Sequence, residues 1–369
     1  MYDCVILGGG IMGLSLAYEL AQRDKKVVVV DHREIGRQTS WAASGIIPAT
    51  SVERAPDPYA KLCGISARLY PEWTARLTQE SGISPEYEAV GGIHVARSAG
   101  ELISLEFNVQ QMRDDGIEIE RLSLEALHEY EPALAATLGT NGVTAAYWVP
   151  DEAQIRPPRL MKSLRAACAS RGVTLWGETE VLEFVREEQR LTAVMTSRGE
   201  LRSDAFCVTA GAWTDDLLRP LHVALDIQPW RGQLVLLAAR PGLLRHVVNE
   251  GPNYILQRRD GQVIVGSTME EVGYDERTDA SIEQLRAYAG KMIGQLAGAE
   301  MLHCWAGLRP HSNDGFPYVG SVPGFDNCFV AAGHHRAGIT LAPGTARVLT
   351  QLILNEATDV DMLPFQLSR

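Results

Sequence analysis

The chain has 369 residues, 46% of them hydrophobic and 22% charged, with a formal net charge of −12. That length predicts two domains or one large domain with an insert, and the acidic balance argues against nucleic acid as a partner. Six cysteines lie scattered without CxxC or paired spacing, predicting reduced thiols rather than a disulfide framework or a metal site, and no apolar run reaches the roughly 18 residues of a membrane span.

The first expected strand begins near Tyr2, which leaves no room ahead of it for a signal peptide and makes a cytoplasmic protein the expectation. It runs into Val5-Ile6-Leu7-Gly8-Gly9-Gly10-Ile11-Met12-Gly13. A helical spacing of apolar residues over 11–23 follows, and then a second strand, Val27-Val28-Val29-Val30, ends at Asp31. This is the pattern of a dinucleotide-binding βαβ unit. Gly8 permits the tight turn, Gly10 lets the backbone approach a pyrophosphate, and Gly13 lets helix and strand pack closely. The helix start, with Ile11 and Met12, offers free N–H groups and a positive dipole end to phosphate. Asp31 can accept hydrogen bonds from a ribose.

Next comes the small, polar run Thr39-Ser40-Trp41-Ala42-Ala43-Ser44-Gly45. It suits backbone lying against something flat and large, or a helix start capped by Ser40. A long amphipathic helix is expected over 59–81, a strand over 91–96 and a helix over 101–115. A strand end and capped helix follow over 118–127, then a strand over 143–149 and a helix over 158–171. Strands over 173–176 and 180–185 precede a hairpin at 197–200 and an apolar strand that breaks at Thr209-Ala210-Gly211-Ala212-Trp213.

Residues 227–272 alternate in β fashion, with Asp260-Gly261 as a hairpin signal, and a helix is expected over 281–297. The chain ends in a strand, a loop, the turn Gly333-His334-His335-Arg336-Ala337-Gly338-Ile339-Thr340 and a helix. Nucleotide-like segments therefore sit at the start, middle and end, with β-rich material between them. The expected fold class is α/β, a Rossmann-like nucleotide domain (1–83, 150–220 and 300–369) interwoven with an α+β substrate domain on a mostly antiparallel sheet (84–149 and 221–299). The active site should lie at their junction.

Arg309, in Trp305-Ala306-Gly307-Leu308-Arg309-Pro310, stands in apolar surroundings. A guanidinium there needs an anionic partner, either a structural carboxylate or a substrate's. Tyr254 and Met269 are each readable as core or as site, and the pair His334 and His335 as packing or as a general base.

These stretches, in this order, resemble the flavin-dependent D-amino-acid oxidase superfamily, most closely its glycine oxidase branch, with sarcosine oxidases and D-amino-acid dehydrogenases further off. The motifs that carry the resemblance are the opening glycines, Thr39 to Gly45, Thr209 to Trp213, Gly266-Ser267-Thr268-Met269-Glu270, Gly307-Leu308-Arg309-Pro310, and Gly333 to Pro343. The resemblance implies FAD, with Asp31 on the adenosine ribose, His32 and Arg33 near it, and Val181 meeting the adenine through its backbone. It brings Thr39, Ser40, Ala42, Ala43, Ser44, Gly45, Ala210, Gly211, Trp213, Gly333, His334, His335, Arg336, Gly338, Ile339 and Thr340 around the rest of the cofactor. Ala42 stands after Trp41 where covalent relatives have a histidine, and no cysteine adjoins Arg309, so the flavin is expected to be non-covalent.

The resemblance further implies that Arg309 clamps a substrate carboxylate, Tyr254 hydrogen-bonds to it, Met269 shapes the pocket and Arg336 lies at the flavin edge. The α C–H then leaves as hydride toward the flavin, the imine hydrolyses, and oxygen or another acceptor takes the electrons. Relatives carry an aromatic residue at His335 and asparagine at Ala337, so glycine itself is not fixed as the substrate. A dehydrogenase acting on a 2-hydroxy acid or donating to a quinone, a flavoprotein module without turnover, and a homo-oligomer all stay open.

Overall fold

The computed structural model describes residues 1–142 and 144–369; Val143, the first residue of the strand expected over 143–149, lies outside the described residues, as do the side chains of 138–141. Strand β1 (Tyr2–Leu7) is followed by helix α1 (Ile11–Ala21) and strand β2 (Val27–Val30). β1 pairs in parallel with β2 on one side and with Gly199–Val208 on the other, and Cys328–Ala332 and Thr174–Trp176 extend the same sheet. The strands are apolar throughout because both faces are covered. One face meets α1, Pro58–Ser81, Pro157–Ser170 and Gly338–Ile353. The other packs beneath the antiparallel strands Val181–Glu187 and Arg190–Thr196.

The second sheet is built mainly on Ile227–Ala238, Gln262–Gly266, Asn253–Gln257, Val247–Glu250, Gly92–Ala96 and Ala145–Val149, in that order across it. Every neighbouring pair is antiparallel except Val247–Glu250 with Gly92–Ala96. Met301–Ser312 pairs with Ile227–Ala238 over most of its length, so this strand, in a segment expected to join the nucleotide part, runs in the second sheet and delivers Arg309 to it.

Side chains alternate with the period of two that strands impose. Ile93, Val95, Val235, Leu237, Val248, Ile255, Val263 and Val265 form a core against the helix Ser281–Met292 and its neighbours. The alternate positions, among them Leu234, Tyr254, Leu256 and Ile264, face the other way, toward the first sheet. The helix expected over 281–297 stops at Met292 because Ile293 turns extended, and Gly294–Leu296 forms a separate 3-10 turn.

Candidate active site

The carboxyl ends of the parallel strands and the inward face of the second sheet enclose a cavity of about 810 Å³. Gly8, Gly10, Ile11 and Met12 line it where β1 turns into α1. Gly10 caps that helix without a side chain. The Ile11 N–H donates to Ser40 Oγ at 2.9 Å, so Ser40 serves α1, while its own short helix, Thr39–Ala42, starts from Gln38. Gly13 lies behind the wall, where a Cβ would come within 1.9 Å of the Gly8 carbonyl oxygen. Its lack of a side chain is what lets α1 sit on the turn.

Asp31 ends β2 and lines the cavity. Its carboxylate accepts from the Gly9 N–H at 2.7 Å and from the Arg33 N–H at 2.9 Å, which fixes its direction and leaves lone pairs for a hydroxyl. His32 and Trp213 line the same end with ring centroids 5.5 Å apart, and Val181 borders it. Arg33 is off the wall, its guanidinium lying over Trp213 and paired with Glu276 at 2.8 Å.

Thr39, Ser40, Ala42, Ala43, Ser44 and Gly45 form one flank, and Ala210, Gly211, His334, His335, Arg336, Gly338, Ile339 and Thr340 line the cavity as well. Gly333 takes a left-handed φ of 77° at the turn but stays off the wall. His334 is buried beside Thr345, and burial lowers its pKa to about 3. His335 is lowered to about 4, first by burial and then by His311, Arg309 and Arg336; its buried Nε2 has no hydrogen-bond partner among the described residues. Both imidazoles are therefore neutral at physiological pH.

At the second sheet, Arg309 and Tyr254 line the cavity together. Arg309 donates to Ser267 Oγ at 2.8 Å and to the Thr268 carbonyl at 3.0 Å, and among the described residues no carboxylate lies within ion-pair distance of it. Burial lowers its pKa, with the Arg336 charge adding to the effect and Tyr254 and the more distant Glu270 only partly opposing it. The Tyr254 hydroxyl likewise has no hydrogen-bond partner among the described residues. Two glycines make room for these tips: a Cβ on Gly232 would sit 2.1 Å from Arg309 Cζ, and one on Gly266 would sit 2.5 Å from Tyr254 Oη. Met269 is 48% exposed and outside the wall, one residue beyond the Thr268 carbonyl that holds Arg309.

Sequence reading missed His94, Glu152 and Asn249, which also line the cavity. His94 Nε2 lies 3.0 Å from Glu152 Oε2, and Asn249 Nδ2 lies 2.8 Å from Glu152 Oε1. No spacing could have united them, since they come from three separate segments. Only the inward alternation of Gly92-Ile93-His94 gave a local signal.

A parallel sheet opening onto an elongated cavity, closed at its far end by a mostly antiparallel sheet that presents a partly buried guanidinium, defines a dinucleotide-dependent oxidoreductase of two interleaved sheets. Residues 3–352 match the family described as FAD dependent oxidoreductase, and the chain belongs to that family. It is 34% identical over 363 residues to the glycine oxidase of Pseudomonas putida, covering 98% of this chain and 97% of that one. It is 35% identical to the glycine oxidase of Pseudomonas aeruginosa with the same coverage. The crystal structure of glycine oxidase from Geobacillus kaustophilus superposes with a TM-score of 0.93 at 29% identity, covering 100% of this chain and 98% of that one. The protein is thus an FAD-dependent oxidoreductase. Its own residues fit that cofactor: a helix start whose N-cap residue is a glycine, a glycine cradle, an oriented Asp31 and a flank of small residues share one cavity. No helix among the described residues is long and apolar enough to cross a membrane.

Proposed function

We propose that the protein oxidises the C–N bond of a small amino acid or amine bearing a carboxylate, and that Arg309 and Tyr254 hold that carboxylate. The observation that carries this reading is a guanidinium on the cavity wall that, among the described residues, pairs with no carboxylate, beside a tyrosine hydroxyl that hydrogen-bonds to none of them. A buried cation is costly to keep unless something neutralises it, and a bidentate substrate carboxylate does so. Bound non-covalently, FAD supplies a hydride acceptor.

The residues around that acceptor act by position. Arg309 pins one end of the substrate, Tyr254 donates to the same carboxylate, and Ser267 with the Thr268 carbonyl holds the guanidinium in place. Asp31 and Val181 would anchor the adenosine end, the start of α1 the pyrophosphate, and Arg336 would lie at the flavin edge. His335, kept neutral, adds no competing charge to the pocket. Orientation of this kind accounts for a large part of the barrier in such reactions.

The test is anaerobic addition of glycine, sarcosine and D-amino acids to the FAD-loaded protein while the visible flavin band is followed. Bleaching by at least one of them is expected, and no bleaching by any would remove the reading. Peroxide yield against dye reduction on re-aeration then separates an oxidase from a dehydrogenase.

A further inference from the structure

We infer that His94, Glu152 and Asn249 form a second recognition point in the substrate pocket, one that takes an ammonium or other cationic N–H donor at the far end of the substrate. The inference rests on the amino-acid reading above and narrows it to substrates with a basic side chain or basic N-substituent.

It starts from what a carboxylate can do. Glu152 is 2% exposed, and His94 is its one ion-pair partner among the described residues. An ionised carboxylate only accepts hydrogen bonds. His94 must therefore present Nε2–H to Glu152 Oε2, and Asn249 must present its amide N–H to Glu152 Oε1. With a neutral imidazole, that fixes the other end of each group. His94 Nδ1 and Asn249 Oδ1 are left as acceptors, and neither has a hydrogen-bond partner among the described residues, although both side chains line the cavity. Two acceptors backed by a buried negative charge suit a donor that is itself positive.

The placement agrees. Asn249 is directly opposite Tyr254 in the sheet, and His94 is directly opposite Asn249, so the three belong to one row on the inward face. Glu152 reaches that row because Gly92 has no side chain; a Cβ there would sit 2.5 Å from the Glu152 carboxyl carbon. The same device makes space for Tyr254 at Gly266 and for Arg309 at Gly232. The inward face thus presents a cation and a hydroxyl at one end and a carboxylate-backed acceptor pair at the other. Asn249 stands two strands from Gly266, over which the Tyr254 hydroxyl lies. At about 4.8 Å per strand, the two ends are on the order of 10 Å apart. Glycine cannot bridge them, whereas a straight chain with a terminal amine can.

Binding to the FAD-loaded protein tests this without turnover. The probes are 5-aminopentanoate and 6-aminohexanoate against pentanoate and hexanoate, read by isothermal titration and by perturbation of the flavin spectrum. None of them carries an α-amine, so none reports oxidation. At least one amine is expected to bind tenfold or more tightly than its alkyl counterpart, and Glu152→Gln should bring that ratio below threefold. Because Glu152 is buried and its replacement could disturb folding, Asn249→Leu at a half-buried position carries the same expectation. Equal or tighter binding of the alkyl acids, or no binding of either series, overturns the inference. If the preference is present while no amino acid bleaches the flavin, the catalytic reading falls and the recognition point stands. If amino acids bleach it and the preference is absent, only the recognition point falls.

Discussion

Arg309 shows how a single residue can leave its meaning open in a sequence and lose that ambiguity in a fold. In apolar surroundings it could have belonged to a structural ion pair, yet among the described residues its hydrogen-bond partners are a hydroxyl and a carbonyl. Compare Arg231, buried in the same sheet, which pairs with Glu270 and Asp279 and is thereby a structural cation. Replacing Arg309 with Met should weaken carboxylate binding roughly 100-fold, the ~3 kcal/mol of a charge-assisted bidentate contact, with flavin content unchanged. Arg309→Lys should recover part of that, since it restores the charge without the fork. Anaerobic titration with the best substrate, read as Kd for flavin reduction, checks both; native affinity in Arg309→Met would take the residue out of the site. What remained hidden at this scale was hidden by distance along the chain. Glu152 follows His94 by 58 residues and precedes Asn249 by 97; sheet register joins His94 to Asn249, and the Gly91 N–H bonded to the Glu152 carbonyl brings in the third. Met269 illustrates the converse, a residue next to a site by sequence that stands in the connection after Gln262–Gly266 and is exposed.

Elements were the most legible level, because hydrophobic period reports directly on which faces are covered. The four-valine strand β2 and the helical spacing of α1 were readable at once, and both lie where expected. Boundaries were less so: Ser40 looks like a local cap, but its hydroxyl is taken by the Ile11 N–H of another helix, a choice no local rule contains. The turn that leads into Gly338–Ile353 carries a pH consequence. Burial lowers the folded pKa of His334 from 6.5 to about 3. Between those values the unfolded chain binds a proton that the folded chain does not, so stability falls as pH falls through this window. At pH 5 the loss relative to pH 7.5 should be about 2 kcal/mol from His334. His335 adds less, being partly exposed and screened. Urea unfolding at the two pH values should show wild type losing about 2 kcal/mol more than His334→Gln. Equal losses would mean that His334 titrates normally in the folded protein.

On the scale of the whole molecule, the cofactor cavity exists only because two sheets meet, and the segment 39–45 is the seam. The Trp305 indole N–H donates to the Ala42 carbonyl at 2.9 Å, and Thr39 Oγ1 donates to the Leu308 carbonyl at 2.6 Å. A Cβ on Gly307 would come within 2.7 Å of Ala42 Cβ, so the strand bearing Arg309 presses directly on the cofactor flank. From the other side Arg258, 3% exposed, donates to Gln154 Oε1 and to the Ser44 carbonyl, and burial lowers its pKa to about 10. The order of segments in the sequence announced that the chain weaves between two parts; it could not announce this seam, which is made of backbone carbonyls. Replacing Arg258 with Met sets two effects against each other. It removes a costly buried charge, and it leaves Gln154 Oε1 and the Ser44 carbonyl unpaired. Apo stability should therefore change little, while Ser44 and Gly45, which line the cavity, lose their anchor. The expected result is an FAD Kd about tenfold higher, so that at a fixed saturating FAD concentration the stabilisation gained on binding falls by about 1.4 kcal/mol. Trp305→Phe, which removes the bond to Ala42 with little change of volume, should act in the same direction. Thermal unfolding of apo and FAD-loaded protein, with FAD titration by quenching of flavin fluorescence, measures both quantities. Native FAD affinity in both variants would show that the flank holds its shape without the second sheet, and the cavity would then be a property of the nucleotide sheet alone.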